Sequence, residues 1–249
     1  MQAIILAAGV SRRLRPLTDT TPKCLLKIGS KNLLQRTIEN VVANGITDFI
    51  FVTGYREIMI KDFVNSAFPE IGKTFITNTD HENNNNSYSL WMTKEFVKGD
   101  IILLDSDILF DEKIIAKLLN SGKENCLAVN FTEHLDDEQI KVILDDQDNF
   151  KIMEIGKEIS IPLSAGESIG IERFSSYYMH ELFAILERKI VKENNVNEFY
   201  EASFQEIIDF SEAKNDLRNS IYAIDVSEFM CMEIDTVQDF EKAQSISNL

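Results

Sequence analysis

The segment from Ala3 to Lys23, AIILAAGVSRRLRPLTDTTPK, constrains this chain more than any other. Ala3–Ala8 is a short, continuous apolar run, the pattern of a strand buried on both faces of a parallel sheet. Gly9 then opens a polar loop carrying Arg12, Arg13, Arg15 and Lys23, four cations within twelve residues. A loop at the carboxyl end of such a strand stands where open α/β sheets bind their ligands. The small residues Ala7, Ala8 and Gly9 let a ligand approach the backbone, whose N–H groups suit phosphate. A solvated arginine-rich turn is the plain alternative. Against it stands the overall balance of Lys+Arg 25 and Asp+Glu 41, a net charge of −16. The loop fits neither the Gly-x4-Gly-Lys-Ser/Thr nor the GxGxxG phosphate motif.

The acidic balance also argues against partners that need a broad basic face, namely duplex nucleic acid and anionic membrane. Cys24, Cys126 and Cys231 are odd in number and far apart, which suits a reducing compartment and no zinc site. The first apolar run is short and has its arginines after it, the reverse of a signal peptide, and it falls well below the ~20 residues of a membrane span. A cytoplasmic protein is expected.

Along the chain, Leu33, Leu34, Ile38, Val41 and Val42 mark one helical face that ends near Asn44-Gly45. Asp48–Thr53 reads as a strand, Glu57–Ala67 as a helix and Thr74–Thr77 as a strand, an alternation that implies right-handed crossovers. Ser87–Phe96 has helical character, Ile101–Leu104 is a buried strand, and Lys113–Asn120 is a helix. The pattern then changes. Cys126–Asn130, Gln139–Leu144, Phe150–Ile155 and Ser168–Arg173 read as strands with hairpin turns such as Asp145–Asn149. Helices over Ser175–Glu193 and Asn197–Phe210, strands over Ile221–Val226 and Met230–Glu233, and a last helix over Val237–Ser245 complete the chain. One domain over residues 1–249 is expected, with a parallel half to about residue 125 and a more antiparallel half from about 126.

Two acidic groups stand out. In Asp105-Ser106-Asp107, residues i and i+2 of an extended chain face the same side, so two carboxylates leave the strand together. Hard oxygen ligands at a strand end suit Mg²⁺, which binds one or two carboxylates plus substrate phosphates; turn capping is the alternative. In Glu233-Ile234-Asp235-Thr236-Val237-Gln238-Asp239, Asp235 or Thr236 is placed to N-cap the last helix, with Asp239 in its first turn. The three histidines, His81, His134 and His180, show no spacing for a metal site or a triad, and there is no Gly-x-Ser-x-Gly elbow.

The opening segment closely resembles the motif of the nucleotidyltransferases that make sugar nucleotides and related activated alcohols, L-A-A-G-x-G-x-R-x-x-P-x-T followed by P-K. Leu6, Ala7, Ala8, Gly9, Arg13, Pro16, Thr18, Pro22 and Lys23 carry the match, nine positions over eighteen residues. Ser11 stands where that family usually has a second glycine; a positive φ there would strain a serine by about 1 kcal/mol. The resemblance implies an α/β fold of the GT-A-like, Rossmann-like α/β/α kind, with a mixed central sheet and a smaller antiparallel acceptor-binding portion. It implies that Arg13 and Lys23 are catalytic and grip the triphosphate. It also implies that Leu6, Ala7, Ala8, Gly9 and Asp105 bind the nucleotide, and that Asp107 and Asp235 hold Mg²⁺.

Asn83–Ser89 (NNNNSYS) resembles the N-N-x-x-S-L stretch of the choline-phosphate and aminoethylphosphonate cytidylyltransferases within that family. Asn84, Asn85 and Ser89 are therefore candidates for reading the base or ribose, since amides offer donors and acceptors; an exposed polar loop is the alternative. Gly166–Ser175 resembles the strand lining the acceptor pocket of the same enzymes. Glu167, Tyr200 and Glu201 become acceptor-binding candidates, with Tyr177, Tyr178, Phe199 and Phe204 nearby in the sequence as an aromatic cage for a substituted ammonium, or else as core.

The implied activity is transfer of CMP from CTP to a small phosphate or phosphonate, such as phosphocholine, phosphoethanolamine or 2-aminoethylphosphonate, with release of pyrophosphate. A homodimer is compatible with the resemblance. The rivals are a hexose-1-phosphate uridylyl- or thymidylyltransferase, a GT-A glycosyltransferase using Asp105-Ser106-Asp107, and a non-catalytic nucleotide-binding protein.

Overall fold

The parity of the first strand sets the architecture. β1 (Gln2–Ala7) is buried along its whole length, with Ile4 and Leu6 facing one layer and Ala3, Ile5 and Ala7 the other. A strand apolar on both faces can rest only between two helical layers, and a computed structural model, describing residues 1–132, 135–148, 150–214 and 216–246, has that arrangement. His134 and Asn149, the last residue of the expected hairpin turn, lie outside the described residues.

After β1 come two short strands, β2 (Lys27–Ile28) and β3 (Lys31–Asn32), then α1 (Leu33–Ala43), β4 (Asp48–Thr53), α2 (Glu57–Ala67) and β5 (Gly72–Thr77). Next are α3 (Asn86–Trp91), β6 (Ile101–Asp105), β7 (Ile108–Phe110), α4 (Lys113–Leu119), β8 (Cys126–Asn130), β9 (Lys141–Leu144) and β10 (Ile152–Gly156). The last third holds β11 (Gly166–Phe174), α5 (Ser176–Glu187), α6 (Glu201–Lys214), β12 (Tyr222–Asp225), β13 (Cys231–Glu233) and α7 (Val237–Ile246).

Nine strands form one sheet, in the order β10-β9-β11-β6-β1-β4-β5, with β8 also paired to β11 and β12 beyond β8. β6, β1, β4 and β5 are parallel, whereas β11 runs antiparallel to β6, β8 and β9. The sheet is therefore mixed, and its change of direction falls between β6 and β11. Leu34, Ile38 and Val41 of α1, Ile60 and Val64 of α2, and Ile114 and Leu118 of α4 cover one face. Leu90 of α3, Tyr178 and Leu182 of α5, and Phe204 and Ile207 of α6 cover the other. Among the described residues no helix is long and apolar enough to cross a membrane.

Several elements differ from the sequence expectation for local reasons. The helix expected to reach Phe96 ends at Trp91, where Thr93 turns its Oγ1 back onto the Leu90 carbonyl (2.7 Å) and competes with helical pairing. α5 ends at Glu187 and continues as one π-helical turn, Arg188–Lys192. α6 starts at Glu201 rather than Asn197. The backbone before it is committed to the start of α3: Tyr200 N donates to Asn86 Oδ1 (2.9 Å), and the Val196 carbonyl accepts from Asn85 N (2.9 Å). β7 is three residues long, too short for any periodicity to reveal.

Candidate active site

The carboxyl ends of β1 and β6 lie side by side, with Leu6 opposite Asp105 and Ala7 opposite Thr53 of β4. Leu6, Ala7, Ala8 and Gly9 thus form the floor of a cleft of about 720 Å³. Ser11, in the loop above it, has φ 52° and ψ 57°, so the position where the family motif has glycine is left-handed here with a serine in it. The Ser11 carbonyl closes the loop, accepting from Leu14 N (3.2 Å) and Thr18 Oγ1 (2.9 Å).

Three separate elements bring charge to one point. Pro22 leads into a 3₁₀ turn that buries Lys23 (7 % exposed), whose Nζ lies 2.8 Å from Asp107 Oδ2 and 2.5 Å from Asp235 Oδ1. Arg13 pairs with Asp235 from the solvent side. The link that delivers Asp235 is the small sheet of β7 and β13: Glu233 pairs with Ile108, and Ile234 N donates to the Asp107 carbonyl (3.0 Å). Burial works against the Lys23 charge, but the carboxylates of Asp107 and Asp235 more than offset it and raise its pKa. Burial likewise opposes ionisation of Asp235, and Lys23 and Arg13 overcome it, holding that carboxyl below its ordinary range.

Asp235 is free for this role because it does not cap the last helix. Thr236 and Asp239 make a reciprocal pair: Asp239 Oδ2 accepts from Thr236 N (2.8 Å) and Asp235 N (3.2 Å), and Thr236 Oγ1 accepts from Asp239 N (3.2 Å).

Sequence reasoning missed Glu233. One ligand oxygen from each of Asp107, Glu233 and Asp235 lies within 4.8 Å of the others. Glu233 reaches solvent through the cleft, yet burial and then the charges of Asp107 and Asp235 push its pKa up to about 8. The signal was present, since Glu233 and Asp235 are i and i+2 of an extended segment and share a side. Asp107 Oδ1 is buried with no hydrogen-bond partner. An orphaned carboxylate oxygen beside two more acids, with an ammonium lying between two of the three, is a donor set that fits a hard divalent cation.

Asp105 has a different environment from Asp107. Its Oδ2 accepts from Tyr200 Oη (3.0 Å), and Gly170, at φ 69°, passes so close that a Cβ there would sit 2.9 Å from the same oxygen. Burial, then the charges of Asp107, Glu201 and Glu233, raise its pKa well above the ordinary value. Glu172, buried behind the wall, and Glu201, buried but bordering the cleft, complete an acidic layer around Asp105; burial dominates at Glu201 and lifts it to about 7.

The remaining sequence candidates divide. Glu167, Glu201, Asn84, Asn85 and Ser89 all line the cleft. Tyr200 does not; its side chain is fully buried and its hydroxyl serves Asp105. The aromatic cage is not assembled. Tyr178 and Phe204 pack with Phe174 in the core, and Tyr177 lies at the surface under the Arg218 guanidinium. They follow the buried stripes of α5 and α6, which face the sheet rather than the cleft. Only Phe199 of that group reaches the cleft, with Lys157 Nζ 4.8 Å from its ring centroid. Asn85 spends its amide on structure: Oδ1 accepts from Asn86 N (2.8 Å) as the cap of α3, and Nδ2 donates to the Asn197 carbonyl (3.3 Å).

A family model described as nucleotidyl transferase matches residues 2–141 of this chain, which takes in the loop, Lys23 and Asp105–Asp107. The chain belongs to the nucleotidyl transferase family. This nucleotidyltransferase is 28% identical to a CTP:phosphoglutamine cytidylyltransferase of Campylobacter jejuni, covering 97% of this chain and 98% of that one. It is 25% identical to a choline-phosphate cytidylyltransferase of Streptococcus pneumoniae, over 99% of this chain and 98% of that one. The solved structure of CTP:phosphocholine cytidylyltransferase from S. pneumoniae superposes with a TM-score of 0.77 at 23% identity, covering 98% of each chain. The inositol-1-phosphate CTP transferase of T. maritima gives 0.76 at 21% identity, over 99% of this chain and 96% of that one. Both solved structures share the single α/β domain with a mixed central sheet described above.

Proposed function

We propose that this nucleotidyltransferase moves CMP from CTP to a small phosphorylated or phosphonate acceptor and releases pyrophosphate. The observation that carries the reading is the meeting of Lys23, Arg13, Asp107 and Asp235 at the mouth of one cleft. The full-length likeness to two cytidylyltransferases supports CTP and a small acceptor.

In the reaction, an acceptor oxygen attacks the α-phosphorus and forms a new P–O bond. The bond from that phosphorus to the bridging oxygen breaks, and pyrophosphate leaves with its electron pair. The acceptor is already ionised, so no histidine base is required. Mg²⁺ held by Asp107 and Asp235, with Glu233 within reach, would neutralise phosphate charge as a Lewis acid. Lys23 contacts the reacting phosphates and Arg13 the leaving pyrophosphate, two cations placed to stabilise charge as it develops. Backbone N–H groups near Gly9 receive the triphosphate.

The first half, to about residue 125, supplies the nucleotide site. The second half supplies Glu167, Glu201 and Phe199 on the acceptor side, with Tyr200 acting behind them on Asp105. Aromatic enclosure of an ammonium is reduced to Phe199, so carboxylates rather than rings carry recognition of any positive group on the acceptor.

The test is a panel of CTP, UTP, dTTP, ATP and GTP with Mg²⁺ against phosphocholine, phosphoethanolamine, 2-aminoethylphosphonate and glucose 1-phosphate. Pyrophosphate release and product mass are the readouts. CMP-linked product from an amine-bearing acceptor supports the reading, whereas a nucleotide sugar as the sole product overturns it. Nucleotide binding without turnover across the panel would point to a non-catalytic role.

A further inference from the structure

We propose that Asn78, a residue outside the nucleotide motif, sets selectivity for cytosine over uracil by fixing which way the Asn84 amide points. The inference rests on the CTP reading above and adds the residue that would enforce it.

Asn78 follows β5 and is 1 % exposed, yet it borders the cleft together with Asn84 and Ser89. Its backbone N–H donates to the Thr53 carbonyl (2.7 Å), anchoring it to the end of β4. Its side-chain polarity is decided by a group that cannot be reversed: Asn78 Oδ1 accepts from the backbone N–H of Asp80 (3.2 Å). With Oδ1 on that side, Nδ2 must face Asn84 and Ser89. It donates to Asn84 Oδ1 (2.7 Å) and to Ser89 Oγ (3.1 Å), and Asn84 Nδ2 returns a bond to Asn78 Oδ1 (3.2 Å). The second Asn84 Nδ2 proton goes to the Asp80 carbonyl (2.7 Å).

Both amide protons of Asn84 are therefore consumed inside the protein, and only its Oδ1 keeps unspent capacity, as an acceptor. Flipping that amide would set oxygen against oxygen and NH₂ against NH₂ across the pair, and would also strip the Asp80 carbonyl of its donor. Ser89 Oγ accepts from Asn78, and among the described residues its own proton has no acceptor, so Ser89 remains a donor. The pair offers the cleft one acceptor and one donor. Cytosine presents a complementary edge, an N4 amino donor beside N3 and O2 acceptors. Uracil places O4 where the amino group would be, and an acceptor then faces the Asn84 oxygen. A donor-for-acceptor mismatch of this kind is how polar sites reject close analogues. Asn78 touches no base in this scheme; it is a positioning residue.

The experiment measures kcat/KM and calorimetric affinity for CTP and UTP with wild type and Asn78→Asp. The carboxylate keeps the acceptor for Asp80 N–H but cannot donate to Asn84 or Ser89. The CTP:UTP ratio of the wild type is expected to fall about 10-fold or more, chiefly through KM and Kd for CTP, with kcat at saturation far less affected. A merely structural role would lower both nucleotides together, and an unchanged ratio overturns the inference. If Asn78→Asp does not fold, Asn84→Ala removes the acceptor directly. It should lower the ratio likewise, and an unchanged ratio there overturns the inference equally. A wild type that prefers UTP overturns the CTP reading itself. Preference for CTP that survives both variants overturns the roles of Asn78 and Asn84 and leaves the CTP reading standing.

Discussion

Lys23 and Asp107 stand 84 positions apart in the chain, yet the lysine Nζ rests 2.8 Å from the aspartate Oδ2 and reaches Asp235 Oδ1 at 2.5 Å with the same ammonium. A buried cation is costly unless it is paired, so the two acids hold Lys23 at the cleft and are in turn held apart by it. Lys23→Ala and Asp107→Ala should each lower turnover by ~10² or more at saturating Mg²⁺, the usual loss on removing one preorganised electrostatic group. Steady-state pyrophosphate release, beside circular dichroism to confirm folding, checks this. Near-normal turnover in either variant would sink the role assigned to it.

Divalent cation binding to the free protein should run the other way. The Lys23 ammonium lies between Asp107 and Asp235, where a cation shared by the same oxygens would have to sit. Lys23→Met leaves three acids within 4.8 Å and removes the competing charge. Mn²⁺ should bind this variant more tightly than wild type in the absence of nucleotide, by about 10-fold, read by electron paramagnetic resonance of free Mn²⁺. Equal or weaker binding would show that Lys23 does not compete for that position.

Glu201 predicts a pH dependence of stability. Burial raises its carboxyl to about 7 in the folded protein, against about 4.3 in an unfolded chain. Between those values the folded state holds a proton that the unfolded state has lost, so this group's contribution is intact below about pH 4.3 and is lost as pH rises toward 7. Glu201→Gln removes the titration. It should stabilise the protein relative to wild type at pH 8 and much less at pH 4.5, measured by urea unfolding at both. An unchanged gap between the two proteins would mean that Glu201 ionises without penalty.

Gly170 carries a prediction about precision. Its φ of 69° and the 2.9 Å approach of its missing Cβ to Asp105 Oδ2 leave no room for alanine. Gly170→Ala should cost about 1 kcal/mol in backbone strain and push Asp105 off the Tyr200 hydroxyl. A loss of about 10-fold in kcat/KM for the nucleotide is expected, and a crystal structure of the variant should show Asp105 displaced. Full activity with Asp105 displaced would remove that carboxylate from the nucleotide site, and Asp105 left in place would refute the steric argument.

Much of the fold could be read one segment at a time. Asp48–Thr53, Glu57–Ala67 and Cys126–Asn130 form over the very residues their patterns indicate, because hydrophobic period and turn chemistry act over a few neighbours. The loop cations and the Asp105-Ser106-Asp107 pair stood out for the same reason, at strand ends that local pattern locates, whereas Asp235, which local pattern offered only as a helix cap, was singled out by the family resemblance. Packing across long separations decided the rest. The three-residue pairing of β7 with β13 brings Glu233 to Asp107. The direction in which α5 and α6 face sends Tyr178 and Phe204 into the core and away from any cage. Tyr200 and Asp105, 95 positions apart, share a hydrogen bond that no spacing announces. A backbone N–H at Asp80 orients two asparagine amides. Composition and periodicity specify which surface a residue turns toward its immediate neighbours; which distant group it meets depends on sheet order and register, and those are settled only when the whole core closes at once.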